Sequence, residues 1–479
     1  MYKFSVYLLI VLINLAACAI PKKAELGSTL QEAPEVYLEA PADTIPLGSY
    51  PFATIFTDTV LNELIDTMLR YNFELQQANR RINMAEASFL MASRLNKPSL
   101  DAVIGVQGDK YGFYTMNGIG NYDMNKSPNI TPDMRVPDPF VPDLFVGVRS
   151  RWEIDLWGKM RAMKDASKQR LLAQRTGRQW LQTQLIAEMS GLYYEWIAMR
   201  YEQEVVDRNV KLQENALDIV RLLKEAGRAT ELAVQQFTAQ VYRTASLRHA
   251  IAQNIAVAEN RMNYLSGRFP EYLQAGLPVM DQILPDLISG GVPTALLERR
   301  PDILVSLHNL TAAYHDVQAA RAAFLPSLSI TPYFGLQGFR LPSFFNAESI
   351  ATGLAAQMSA PLLARRQIRG QYTIAESELD LHWLEYKRIF REAVAEVQTS
   401  LQGIANLRAQ FDLKRQELDV LRNAVNISNE LFSNGYANYL EVITAQQSLL
   451  EADIELVQIK KQQLQTLVML YRNTGGGWK

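Results

Sequence analysis

In the segment 144-LFVGVRSRWEIDL-156, apolar side chains alternate with charged or other side chains along most of its length. Its even-numbered positions are mostly apolar, whereas its odd-numbered positions carry four charges, at Arg149, Arg151, Glu153 and Asp155. Successive side chains of a β-strand point to opposite faces of a sheet. The segment therefore predicts a strand that is apolar on one side and charged on the other.

Three other segments alternate in the same way, at 99–108, 327–339 and 352–360. Together with the opening segment they predict four strands, each about as long as the 9 to 11 residues that cross a membrane at a tilt. Two loops, at 113–141 and 340–350, would join these strands in pairs at one end of the sheet.

Most of the remaining chain carries the three- and four-residue apolar spacing of helices. Residues 157–224 contain no proline and predict a helix on the order of 100 Å long. The pattern breaks at 227-GRATEL-232 and then resumes to about residue 267. Gly227 suits the left-handed position that ends a helix, and Thr230 suits the N-cap of the next one. The sequence therefore predicts a long antiparallel helical hairpin.

The second half of the sequence repeats the first. Four short segments recur in the same order: 72-NFEL-75 as 300-RPDI-303, 98-PSL-100 as 326-PSL-328, 105-GVQG-108 as 335-GLQG-338, and 227-GRATEL-232 as 435-GYANYL-440. Such recurrence predicts two structural repeats, at 57–270 and 271–479. Each repeat would comprise a helix, two strands and a long helical hairpin, with the first helix at about 58–95.

The N-terminus has the features of a secretory signal peptide over residues 1–17, with Lys3, a short apolar run and small residues before a break. The run is shorter than the roughly 20 apolar residues of a membrane-spanning helix. Leu15-Ala16-Ala17-Cys18 resembles the bacterial lipobox, so Cys18 is the expected site of a covalent diacylglycerol and palmitoyl anchor. An ordinary signal peptide that happens to hold a cysteine is the alternative. Residues 18–56 contain several prolines and predict an extended, lipidated arm.

Composition and motifs argue against an enzyme. The 479 residues carry a formal net charge of -2 and one cysteine, so neither a nucleic-acid partner nor a multi-thiolate metal site is expected. The sequence holds no phosphate-binding loop, and His308 and His315 share a helical face without a carboxylate to complete a metal set. We therefore expect no catalytic residue, no metal and no cofactor apart from the lipid on Cys18.

Two kinds of structure could use the four strands. The first is a soluble antiparallel sheet with a core face and a wet face. The second is a transmembrane barrel, apolar towards lipid, with the four charged residues of the opening segment in a watery lumen. The export signal and the symmetric recurrence of the strands favour the barrel. Four strands are fewer than the roughly eight that a barrel needs, and a charged lumen favours three copies over two.

Four segments resemble TolC/OprM-type outer-membrane efflux lipoproteins: 152-WEIDLWGK-159, 296-LLERRPDI-303, 320-ARAAFLPSLSIT-331 and 470-LYRNTGGGWK-479. They occur in the family's order, and the resemblance covers nearly the whole mature chain. The resemblance implies an α+β membrane protein: a homotrimer whose twelve-stranded barrel, four strands from each chain, crosses the outer membrane and is continued by a long α-helical periplasmic barrel. Ala19, after the cysteine, implies sorting to the outer membrane.

The resemblance also implies a passive conduit in a tripartite efflux system that exports small molecules, such as drugs or toxic compounds. Its partners would be a periplasmic adaptor, an inner-membrane pump of the resistance-nodulation-division type, and outer-membrane lipids. A passive duct has no substrate pocket, so drugs, metals, lipids and peptides stay open as cargo. A lipid-anchored periplasmic coiled-coil scaffold or adhesin is the alternative, but it leaves the four strands unexplained.

By the same resemblance, the turns at Gly227 and Gly435 form the periplasmic tip, and the chain just after each turn narrows the tunnel. Leu440 matches the family's constricting leucine. Thr444 stands where an acid is expected, Gln447 stands where an arginine is common, and Glu441 is an available acid. These residues are the predicted gate, with plain coiled-coil packing as the alternative.

Overall fold

The computed structural model describes residues 34, 36–38, 45–285, 289–361 and 364–478. The predicted signal peptide, Cys18 and most of the predicted arm lie outside these residues.

Helices dominate the described chain, and four strands interrupt them. In chain order the elements are α1 Phe52–Ile55, α2 Thr59–Tyr71, α3 Phe73–Arg94, β1 Ser99–Asp109, α4 Met116–Lys126, β2 Val141–Ile154, α5 Lys159–Glu225, α6 Glu231–Leu265, α7 Leu296–Arg299, α8 Pro301–Ala322, β3 Ser327–Gly338, α9 Leu341–Phe344, β4 Ile350–Ser359, α10 Arg365–Asn434 and α11 Tyr439–Asn473. Short 3-10 turns lie at Leu47–Ser49, Pro132–Met134, Val279–Asp281, Pro293–Ala295 and Ala347–Ser349.

The four predicted strands and the long helical hairpin form within a few residues of their expected bounds. The long helices α5 and α10 have 67 and 70 residues, and α6 and α11 have 35 each. These matched lengths are what two internal repeats would produce, although the repeat boundaries at 57–270 and 271–479 stay a prediction. Among the described residues, no helix combines the length and the apolar character needed to cross a membrane.

The single helix expected over 58–95 is wrong, because the chain divides it into α2 and α3 at Asn72. The Asn72 side-chain oxygen accepts hydrogen bonds from the backbone N–H groups of Glu74 (2.9 Å) and Leu75 (3.1 Å). Its side-chain nitrogen donates to the Leu265 carbonyl at 2.9 Å. Asparagine is a strong N-cap, so a new helix begins here. Apolar spacing alone does not reveal such a cap.

The two predicted loops also contain short helices. Thr115 caps α4 by accepting a hydrogen bond from the Gly118 N–H at 3.1 Å. The guanidinium of Arg340 donates to the carbonyls of Pro132 (3.3 Å) and Arg135 (3.2 Å). The loop between β1 and β2 is therefore tied to the loop between β3 and β4.

The chain forms two compact units. In the described part of the chain, the first unit comprises 85–170 and 310–382, which include the whole sheet. The second comprises the residues up to 84 together with 171–309 and 383–478. The sheet is an antiparallel meander in the order β1-β2-β3-β4.

The buried carboxylate of Asp58 joins several segments of the second unit. Asp58 is 1% exposed, and it caps α2 by accepting from the Val60 N–H at 3.0 Å. The same carboxylate accepts hydrogen bonds from the Tyr193 hydroxyl (2.7 Å), the Gln282 side-chain amide (2.8 Å) and the Leu277 N–H (3.2 Å). Burial, together with the bond to Asp58, raises the pKa of Tyr193 above its usual range. One charged group thus connects α2, α5 and the segment that follows α6.

Candidate functional site

The sheet places its apolar side chains in rows on one face. Ile104 pairs with Val146, Val146 with Leu336, and Leu336 with Ile350, so one apolar row crosses all four strands. Ile104 is 81% exposed and Ile350 51% exposed. Leu354 on β4 is also exposed, in register with Pro332. This apolar face is therefore left uncovered by the described chain, contrary to what a soluble sheet would do.

The opposite face is polar. Asp101, Arg149 and Tyr333 are cross-strand neighbours on it, and Glu153 pairs there with Ser329. Among the described residues, the guanidinium of Arg149 has no carboxylate partner and lies over the Phe145 ring, 5.6 Å from its centre. The predicted lumen residues Arg149, Arg151 and Glu153 thus share one face of β2, as the two-residue period requires.

Asp155 does not share this arrangement. It follows the last residue of β2, and its side chain is 8% exposed. Its carboxylate accepts hydrogen bonds from the backbone N–H groups of Met160 (3.1 Å) and Arg161 (2.9 Å) and pairs with the Arg161 guanidinium at 3.3 Å. Asp155 therefore caps the start of α5 instead of being carried on the strand face.

Both edges of the sheet are open. Within the described residues β1 pairs only with β2, and β4 pairs only with β3. Each outer strand therefore presents a row of unpaired backbone donors and acceptors, ten or eleven residues long. Such edges can pair with strands of another chain.

The two helix turns are built alike. Gly227 and Gly435 have φ angles of 71° and 83°, in the left-handed region. After them, the Arg228 N–H donates to the Leu223 carbonyl (2.8 Å) and the Tyr436 N–H to the Leu431 carbonyl (2.8 Å). This is the pattern of a glycine-ended helix. A Cβ at Gly435 would lie 3.2 Å from the Arg228 guanidinium, so the two turns are neighbours.

The predicted gate residues lie in the first turns of α11. Leu440 is 48% exposed, and Glu441 and Thr444 are exposed too. Gln447 instead points to α6, where its side-chain amide donates to Gln240 at 2.7 Å. The structure therefore brings Gln447 into helix packing and leaves the other three side chains available to solvent. Their role as a gate stays a prediction.

Two buried glutamines on the long helices were not predicted. Gln213 on α5 and Gln446 on α11 are fully buried, and their side-chain amides have no hydrogen-bond partner among the described residues. Close by in sequence lies an apolar cluster of Leu217, Val220, Phe237 and Val442, with further residues from α5, α6 and α11. Glutamine at core positions of otherwise apolar helical stripes was the available sequence signal.

The segments that carry the family resemblance bond to each other in pairs. The Trp157 indole N–H donates to the Pro326 carbonyl at 2.7 Å, which joins the first and third segments. The Trp478 indole N–H donates to the Arg299 carbonyl at 3.1 Å, which joins the second and fourth. Arg300, 3% exposed, binds Asp302 at 2.6 Å and Glu396 at 2.7 Å. These residues are structural joints, a role that spacing alone did not reveal.

The described residues hold no group of three histidine, cysteine, aspartate or glutamate side chains placed to bind a metal ion. The features that distinguish this chain are thus the two-faced sheet with open edges and the paired helix turns.

Several known proteins are similar to this chain. Residues 292–476 match the outer membrane efflux protein family. The chain is 25% identical to the toluene efflux pump outer membrane protein TtgF of Pseudomonas putida over 433 residues, which cover 88% of this chain and 84% of the relative. It is 24% identical over 426 residues to the cation efflux system protein CusC of Escherichia coli, covering 89% of this chain and 88% of the relative.

Among solved structures, the outer-membrane channel OprN superposes with a TM-score of 0.83. The superposition covers 96% of this chain and 100% of that chain at 23% identity. The likeness at this identity shows the fold: long helices combined with a small sheet.

Proposed function

We propose that the chain belongs to the outer membrane efflux protein family and is the outer-membrane channel of a tripartite efflux system. In this role it is a passive trimeric conduit for small molecules. Its partners are a periplasmic adaptor and an inner-membrane pump, for which we propose the resistance-nodulation-division type. Both relatives named above are called efflux components, one for toluene and one for cations.

One observation carries the proposal: the sheet exposes its apolar face while its other face holds the charges. A soluble sheet buries its apolar face, whereas a strand of an outer-membrane barrel turns it to lipid. Trp152 belongs to the apolar face and lies near the end of β2 that leads into α5. Its indole N–H donates to the Asn96 carbonyl at 2.9 Å. Tryptophan is enriched at membrane interfaces, so this residue suits one boundary of the bilayer.

The open edges support a trimer. Pairing β4 of one copy with β1 of the next closes a cylinder without changing the sheet inside any chain. Two copies would give eight strands, whose inward side chains largely fill the lumen. Arg149, Arg151 and Glu153 need water around them, so twelve strands from three copies suit this face better.

The helical hairpins of the second unit supply the periplasmic part of the conduit, and the turns at Gly227 and Gly435 supply its tip. In this proposal Leu440 narrows the passage, since its apolar side chain is half exposed one turn from exposed Thr444. The uncharged amide pair of Gln447 and Gln240 holds α11 against α6. The proposed localisation is the outer membrane, with a lipid anchor on Cys18, which would be the first residue of the mature protein.

Recording from purified protein in planar bilayers tests the proposal. The expected result is discrete conductance steps from a species that chemical cross-linking shows to be a trimer. A protein that stays monomeric and gives no steps would overturn the proposal and favour the scaffold alternative.

The gate assignment has its own test. Leu440→Ala should raise the conductance measured without adaptor, because the side chain that narrows the tip is shortened. Leu413→Ala is the control, since Leu413 is an exposed leucine on α10 that lies away from both turns. If both variants conduct like the natural sequence, Leu440 is not the constriction.

A further inference from the structure

Two aromatic rings on the polar face of the sheet lie down over glycines. Strand side chains usually stand roughly perpendicular to their sheet. Tyr333 instead leans over β4, where its register partner is Gly353. A Cβ at Gly353 would lie 2.6 Å from the Tyr333 Cζ and 2.8 Å from its hydroxyl oxygen, closer than any real contact allows. The ring therefore occupies the space that a side chain at position 353 would fill.

Phe145 on β2 also lies against glycines, Gly147 and Gly335, although backbone atoms come closest there. A Cβ at Gly147 would lie 2.6 Å from the Gly335 Cα and 3.0 Å from the Phe145 Cζ, and one at Gly335 would lie 2.6 Å from the Val146 carbonyl oxygen and 2.9 Å from the Phe145 Cζ. The Phe145 ring is 8% exposed although it belongs to the face that also carries Arg149. Its centre lies 6.0 Å from that of the Tyr333 ring, with the two planes at 74°.

Gly147, Gly335 and Gly353 thus form a patch without side chains, here called the glycine floor, and the two rings lie flat against it. An aromatic side chain that covers a glycine on a neighbouring strand is a known stabilising arrangement in sheets. Here it has a second consequence, because the Tyr333 ring would project from the polar face if position 353 carried a methyl group. How far the rings project decides how much space is left above that face.

We propose that this glycine floor sets the clearance of the strand-built part of the conduit, with Gly353 and Tyr333 as the residues that determine which solutes pass. The inference rests on the proposed channel function, since it assumes that the polar face lines the passage. A trimer places three copies of the glycine floor and its Tyr333 ring at one height. Displaced rings from all three copies would therefore narrow the passage at the same level. Displaced rings would slow the passage of bulky solutes and leave the passage of small ones unchanged.

The width left at the Tyr333 rings can be measured with a cysteine that reagents reach only after passing the rings. Ser329→Cys lies on the polar face of β3, opposite Glu153 and Gln357 and on the helix side of Tyr333. In intact cells, the rate of its modification by small and by bulky maleimides added outside is measured by gel shift. In the full-length chain with the natural glycine floor, both reagents should react.

Gly353→Ala in the Ser329→Cys chain should slow the bulky reagent severalfold and leave the small one unchanged. Adding Tyr333→Ala should restore the bulky rate, because it removes the displaced ring. Gly105→Ala is the matched control: Gly105 lies on the same face, opposite Phe145, and a Cβ there meets no atom within 4 Å. Yields of trimer in the outer-membrane fraction verify that every variant assembles.

The outcomes separate the two proposals. Unchanged bulky rates in Gly353→Ala, or a slowing that Tyr333→Ala does not reverse, would overturn the glycine floor while leaving the channel intact. Failure of even the small reagent to reach Ser329→Cys with the natural floor would overturn the proposed channel, and this inference with it.

Discussion

The sheet of the first unit and the helices of the second differ in how far they bury their largest apolar side chains. Ile104 and Leu354 on the sheet are 81% and 74% exposed, whereas Trp196 and Phe237 in the helices are fully buried. Charge follows the reverse pattern. Arg149 on the sheet has no carboxylate partner among the described residues, whereas Asp58 in the helical unit is buried and bound by several donors.

The difference shows which part of the molecule forms an apolar core within one chain. The helical unit buries such a core and binds the Asp58 carboxylate with its own residues, although apolar side chains such as Tyr242 and Leu413 stay exposed on its helices. The sheet satisfies neither its apolar face nor its edges, so it needs hydrocarbon on one side and further copies at both ends. Each prediction that follows challenges this contrast in one of the two regions.

A charge on the apolar face of the sheet should have the largest effect. Ile104→Arg places a cation in hydrocarbon, at a cost of about 2 to 4 kcal/mol in each chain near the membrane centre. The expected result is loss of assembled trimer from the outer-membrane fraction, measured by immunoblot of unheated samples. Gln107→Arg, on the polar face of the same strand, should assemble normally. Equal assembly of both variants would contradict a lipid-facing sheet.

Loss of the buried carboxylate should have the next largest effect. Asp58→Ala removes the acceptor of the Tyr193 hydroxyl, one of the two acceptors of the Gln282 amide, and the cap of α2. We expect the free energy of unfolding to fall by on the order of 2 kcal/mol. Thermal unfolding followed by circular dichroism measures the change. An unaltered midpoint would mean that the helical unit does not depend on this hub.

Alanine at the helix turns should cost less. Gly227→Ala puts a Cβ at a φ of 71° and should lower the free energy of unfolding by about 1 kcal/mol. Gly191→Ala is the control, because Gly191 lies inside α5 and a Cβ there meets nothing within 4 Å. It should stabilise by about 0.5 to 1 kcal/mol. The opposite signs are checked by denaturant unfolding, and equal signs would contradict the turn geometry.

The smallest expected effect depends on pH. Burial raises the pKa of Glu202, which is hydrogen-bonded to Gln458. The folded state then binds a proton more readily than the unfolded chain, so this group favours folding more as the pH falls towards 4.5 and opposes it at neutral pH.

Glu202→Gln keeps an acceptor without the charge. It should stabilise at pH 7 by less than about 1 kcal/mol, and the gain should shrink as the pH falls and vanish below about pH 4. The exposed Glu204→Gln serves as the control and should change the free energy of unfolding little. The comparison is made by denaturant unfolding at both pH values, and a gain that persists at the lower pH would contradict the burial argument.

Features with a short sequence period were predictable. The strands follow from two-residue alternation, and the long helices and their turns follow from three- and four-residue spacing with glycine at the break. The single helix over 58–95 failed because one capping side chain, Asn72, overrides an otherwise continuous pattern. Asp155 was assigned to the strand face by the same alternation, although the strand ends one residue earlier.

The amino-acid sequence by itself determined where the strands, helices and turns lie, because each depends on residues only a few positions apart. Only the tertiary structure decided which residues from distant segments meet: Tyr333 over Gly353, Trp157 at Pro326, Arg300 with Glu396, and the glutamines buried between helices. These contacts depend on strand register and helix packing. Both are set by the free energy of the whole fold, which no local period encodes.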